Sequence, residues 1–128
     1  MSGLAILCSG QGGQTADMLA RLGTYPDALR LFDSVRGVLP EALRHPLAGL
    51  DADGIFLDSI SQPLICLYQR MAWEVLRPRM PEPALYAGYS LGEFSCYAIA
   101  GALQADAAIR LACRRAELMD LAARETPS

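Results

Sequence analysis

The sequence predicts an α/β fold, part of a larger parallel-sheet domain. Two short apolar runs, "LAILCSG" at 4–10 and "ALYAGY" at 84–89, read as buried strands that run into turns. Stretches with helical spacing lie between and after them. The resulting order of strand, helices, strand, helices is that of parallel α/β architecture. Two strands make a poor sheet alone, so the chain is expected to be one portion of a larger α/β domain.

Each element follows from its residues. After the first strand comes "QGGQT" and a weakly helical stretch around Met18–Leu22. Pro26 suits the first position of a helix. Leu29, Phe32, Val35 and Leu39 repeat at three- or four-residue spacing, so 27–37 reads as an amphipathic helix. Residues 40–61 carry Pro, Gly and Asp and read as loop with short turns. Ser61 then suits a cap and Pro63 a first-turn proline, with apolar sequence up to Leu76 and a stop at Pro78. This predicts a mostly buried helix over 62–77. "RPRMPEP" is a connector. "LGEFSCYAIAGAL" is apolar nearly all round and reads as a buried helix ending near Gly101. Asp106 suits the cap of a last helix over 107–123.

With 128 residues the chain is one domain at most. Its composition, 52% hydrophobic and 20% charged, is that of a soluble globular protein. A net charge of −3 argues against nucleic-acid binding, which needs a basic face. It leaves room for an acidic acyl substrate held by one local arginine. No apolar run reaches the roughly 20 residues that span a bilayer, and the N-terminus lacks the regions of a signal peptide. Cys8, Cys66, Cys96 and Cys113 are scattered in apolar sequence without metal or CxxC spacing. They read as reduced core residues of a cytoplasmic protein.

Chemistry concentrates at "GYSLG", residues 88–92, a G-x-S-x-G pattern between a predicted strand and a predicted helix. Glycines at 88 and 92 permit a sharp turn that thrusts the Ser90 hydroxyl out at a helix N-terminus. There, free N–H groups favour developing negative charge. The Leu91 N–H is one candidate oxyanion donor. The alternative is a tight turn with no chemistry. "SGQGGQ" at 9–14 is neither a Walker loop nor G-x-G-x-x-G. It reads either as a flexible turn or as backbone approaching a ligand, in which case the Gln11 N–H is a second oxyanion donor. Arg115 has Leu111, Ala112, Leu118 and Met119 as its helical neighbours, so it points from an apolar face. It is either one half of a structural salt bridge or a bidentate receptor for a substrate carboxylate. Arg114, beside Arg110 and Glu117, reads as a solvated edge.

Taken together, "GQGGQ" at 10–14, "QP" at 62–63, "GYSLGEFS" at 88–95, "AGAL" at 100–103 and "RRAELM" at 114–119 resemble the N-terminal part of the malonyl-CoA:acyl-carrier-protein transacylase family. The resemblance runs from the first strand almost to the last residue. It implies that Ser90 carries the acyl group, that the N–H groups of Gln11 and Leu91 form the oxyanion hole, and that Arg115 binds the malonate carboxylate. The fold it implies for residues 1–128 is part of an α/β-hydrolase-like large subdomain, with a ferredoxin-like small subdomain inserted afterwards. Malonyl-CoA or a related acyl-CoA and an acyl carrier protein are the implied partners, with no cofactor and no metal.

Where the family usually has His before the serine, this chain has Tyr89. That leaves the acyl preference open and admits a malonyltransferase serving malonate decarboxylase. The family's general-base histidine lies downstream of residue 128. The single histidine here, His45, sits in predicted loop, matches no family position and reads as a surface residue. A serine without a base is a poor nucleophile. The expectation is therefore half an enzyme, inactive alone, which self-associates or pairs with its missing half. Two other readings use the same residues. One is an esterase or thioesterase of the G-x-S-x-G type, for which a buried cation has no purpose. The other is a non-catalytic subunit that binds acyl carrier protein.

Overall fold

The computed structural model describes residues 3–45 and 48–126. The elements run β1 (Ala5–Cys8), α1 (Met18–Arg21), α2 (Pro26–Val35), α3 (Asp58–Leu76), β2 (Leu85–Gly88), α4 (Gly92–Ile99) and α5 (Ala105–Glu125), with single 3₁₀ turns between several of them. β1 and β2 pair in parallel, from Ala5 opposite Leu85 to Cys8 opposite Gly88. The fold is thus α/β with a small parallel sheet, the class expected from the order of the apolar segments.

The larger core is helical. Phe32 of α2, Leu64, Leu67 and Met71 of α3, and Ile109 of α5 are fully buried against one another. Each such side chain contributes about 1.5–3 kcal/mol relative to exposure. α5 lies along α3 through its small residues Ala108, Ala112 and Ala116, which let the two backbones approach closely. A second cluster, Cys8, Trp73 and Ile99, joins the sheet to α3 and α4; the Trp73 ring meets Tyr86 edge-on at 6.2 Å.

Both strands occur where expected, but they are buried on one face only. Leu7 is 75% exposed, and Leu85 also faces solvent. Helices cover one face of this two-stranded sheet, where Ile6, Cys8 and Tyr86 pack. The face carrying Leu7 and Leu85 has no covering layer among the described residues.

The starts of two helices differ from the sequence expectation. α3 begins at Asp58, so Pro63 lies inside it rather than in the first turn. The carbonyl that a residue 63 N–H would normally bond belongs to Ser59, which is exposed to water, so the missing bond leaves no buried orphan. Ser61 is fully buried and caps nothing. α5 begins at Ala105 after Gln104, which puts Asp106 in the first turn, where its charge complements the helix dipole, rather than at the cap. α4 is also less buried than its composition implies, since Tyr97 and Glu93 face solvent. No helix among the described residues is long and apolar enough to cross a membrane.

Candidate active site

Ser90 sits between β2 and α4 at φ 55°, the one non-glycine in the left-handed region among the described residues. That conformation costs about 1–2 kcal/mol and persists because the flanking packing fixes it. A methyl group on Gly88 would overlap the Gly92 carbonyl, and one on Gly92 would overlap the Cys8 carbonyl. Only glycine fits at either position, which is the physical reason for the two glycines around the serine. The turn is closed by Gly92 N–H donating to the Tyr89 carbonyl at 2.8 Å and Glu93 N–H to the Ser90 carbonyl at 3.0 Å. Leu91 is buried beneath it.

The loop after β1 lies against this elbow. A side chain on Gly10 would stand 3.2 Å from the Tyr89 carbonyl and 3.5 Å from Ser90 Cβ, and Tyr89 N–H donates to the Cys8 carbonyl at 3.0 Å. The loop is not a flexible turn. Gln11 Nε2 donates to Asp58 Oδ1 at 3.0 Å and to Ser61 Oγ at 2.6 Å, at the start of α3. Gln14, buried, donates to the Ile55 carbonyl at 3.1 Å and accepts from the Gly12 N–H at 2.8 Å. Gln69 Nε2 holds the Ser9 carbonyl at 2.9 Å. Three glutamine amides therefore fix the backbone beside Ser90. Periodicity gave no sign of them, because each joins residues far apart in sequence. The one local signal is Gln69, a polar residue inside an apolar run.

Arg115 reaches the same place from α5. Its Nη2 donates to Ser90 Oγ at 2.9 Å, and its Nη1 donates to Gln62 Oε1 at 2.9 Å. It has no carboxylate partner among the described residues, so the structural salt bridge is not what holds it. The face it leaves is only half-buried, contrary to expectation. Leu111 and Leu118 are exposed, because α5 turns its small residues rather than these toward α3, while Met119 is partly exposed and meets α3 through its sulfur. Arg114 pairs with Glu117 on the surface, as its neighbours suggest.

His45 lies elsewhere. Its side chain is 77% exposed and its nearest acidic group is Glu41, 4.0 Å away. The cysteines are free, with Cys8 and Cys66 buried and Cys96 and Cys113 half-buried. Burial pushes the Cys8 and Cys66 thiols up to about 11, so neither offers a thiolate at neutral pH.

Strand, left-handed serine and following helix give this α/β protein the backbone geometry of a nucleophile elbow. No protein-family model matches the chain. In sequence it is 32% identical, over 98% of its length, to the malonyl CoA-acyl carrier protein transacylase of Haemophilus influenzae. In structure it superposes on a malonyl transacylase from Mycobacterium tuberculosis with a TM-score of 0.83, 31% identity and 96% of the chain covered. It likewise superposes on a malonyl-transacylase solved in complex with its type II polyketide-synthase acyl-carrier protein, with a TM-score of 0.82, 30% identity and 98% covered. Over nearly its whole length the chain is thus similar to one portion of malonyl-CoA:acyl-carrier-protein transacylases and has the α/β fold of that portion. It spans about two-fifths of their length: 41%, 42% and 40% of these three proteins.

Proposed function

We propose that this chain carries the nucleophile and the carboxylate receptor of an acyltransferase that moves a malonyl or related carboxyacyl group from coenzyme A to an acyl carrier protein. Ser90 Oγ attacks the thioester carbonyl carbon, the C–S bond breaks, and the coenzyme leaves as the thiol after taking up the serine's proton. The carrier's thiol then attacks the serine ester and releases Oγ. The N–H of Leu91, at the start of α4, and that of Gln11, in the anchored loop, receive the oxyanion of each tetrahedral intermediate. Arg115 binds the free carboxylate of the acyl group.

The observation that carries this reading is the position of Arg115. An arginine with no acidic partner among the described residues places Nη2 2.9 Å from the elbow hydroxyl. A simple esterase has no use for a fixed positive charge there. None of the groups touching Ser90 Oγ is a general base, so the reading requires one brought from outside residues 3–45 and 48–126. The same reading makes residues 1–128 part of the large subdomain of such an enzyme. Free cysteines and an acyl-CoA donor fit a reducing, cytoplasmic setting.

Intact-mass spectrometry of the protein in its native assembly, after brief exposure to malonyl-CoA, tests the assignment. The expected result is one added malonyl group, lost in Ser90→Ala. A Ser90→Ala protein that still gains the mass overturns it.

A further inference from the structure

Gln62 is fully buried in α3, and both ends of its amide are committed. Its Oε1 accepts from Arg115 Nη1 at 2.9 Å, and its Nε2 donates to Met119 Sδ at 3.3 Å. Met119 is on the same helix as Arg115, one turn further on. The amide therefore cannot rotate without leaving a buried donor or acceptor unpaired. Its partner guanidinium is held on one side, with its other nitrogen aimed at Ser90.

The chemistry of that partner matters. Arginines elsewhere on the surface, such as Arg21, Arg36 and Arg114, each face a carboxylate. Arg115 instead faces a neutral amide oxygen. An amide orients the guanidinium through a hydrogen bond and leaves its unit charge uncompensated. A carboxylate in the same place would orient it equally well, but would neutralise it and compete with an incoming anion.

We propose that Gln62 is a positioning residue for acyl selection. It fixes Arg115 over Ser90 through a neutral acceptor, so that the full positive charge is presented to the carboxylate of a carboxyacyl donor. Gln62 touches neither substrate nor Ser90 and acts through Arg115 alone. The inference rests on the proposed carboxylate-binding role of Arg115.

The test is the ratio of malonyl to acetyl incorporation on Ser90, measured by intact mass in the native assembly with malonyl-CoA and acetyl-CoA supplied separately. A ratio within each variant cancels any loss of folded protein. Gln62→Met keeps the side-chain volume and removes the acceptor. Its ratio is expected to fall about tenfold, the equivalent of one net hydrogen bond. Gln62→Glu keeps an acceptor and adds a negative charge, and its ratio is expected to fall further than that of Gln62→Met. Arg115→Ala separates the two levels of the argument. If Arg115→Ala loses the preference while both Gln62 variants keep it, the positioning role is wrong and the carboxylate role stands. A wild-type ratio in Gln62→Glu alone also overturns the neutral-acceptor argument. If Arg115→Ala keeps the preference, or the unaltered protein is acylated by neither donor, the carboxylate reading fails and this inference fails with it.

Discussion

Gly92 packs so closely on the Cys8 carbonyl that no side chain fits between them. This contact ties the first turn of α4 to the end of β1 and sets how far Ser90 stands out from the sheet. Gly92→Ala is expected to destabilise the fold by more than about 3 kcal/mol, because backbone rather than a flexible side chain has to move. Gly88→Ala meets the Gly92 carbonyl and is expected to behave alike. Urea unfolding of the two variants checks this. A midpoint change no larger than that of an ordinary surface substitution, within about 0.5 kcal/mol, would show that the elbow yields more easily than its packing implies.

Arg115→Ala is expected to cut malonyl transfer by about one to two decades, the worth of a charge-assisted pair of roughly 1.5–3 kcal/mol. Acetyl transfer should hold or rise, since an uncharged acyl group gains nothing from the guanidinium. Rates with the two donors decide the matter, and an equal loss for both points to a structural arginine.

In an active, complete form of the enzyme, His45→Ala is expected to leave both activity and stability unchanged. The imidazole is exposed and approaches only Glu41, at 4.0 Å, and exposed pairs of this kind contribute little. The purified 128-residue chain, assayed at a known oligomeric state with malonyl-CoA and a carrier protein, is expected to give no turnover above background. Robust transfer by a monomer, abolished by His45→Ala, would overturn both expectations.

Stability should fall at alkaline pH through Cys66. Burial raises its thiol from 9.0 to about 11, only partly offset by its hydrogen bond with Ser95. Between those values the unfolded chain has lost the proton and the folded chain keeps it, so unfolding releases a proton. The contribution is intact below pH 9 and declines toward pH 11, by about 2–3 kcal/mol at most. Cys66→Ala should flatten that part of the stability profile. A slope unchanged by the substitution assigns the alkaline loss to another group.

The elbow was legible in the sequence because it is local. Strand, Gly88, Ser90, Gly92 and helix are contiguous, and each residue type has a steric reason to be there. Helical spacing singles out Arg115, although the leucines that flank it are exposed and not buried. The start of α3 was missed because Leu57 offers no capping side chain and Pro63 mimics a first-turn proline. The contacts of Gln62 with Arg115 and of Gln11 with Ser61 were out of reach. They join segments 53 and 50 residues apart, and nothing in the period of either segment encodes them. Strand burial was overestimated, because an apolar run records what a residue prefers to touch and not whether a covering layer is present.

The pairing of Ala5 with Leu85 has a temporal consequence. Parallel strands so distant in sequence meet only after everything between them has been made, and closing so large a loop is slow relative to forming local helices. On the ribosome, α2 and the start of α3 emerge long before β2, and their contacts are the more local ones. The β1 segment must wait, unpaired, until the elbow arrives. Ser90 therefore acquires its strained backbone only after every segment from β1 to β2 has been made, and its neighbour Arg115 only once α5 has followed.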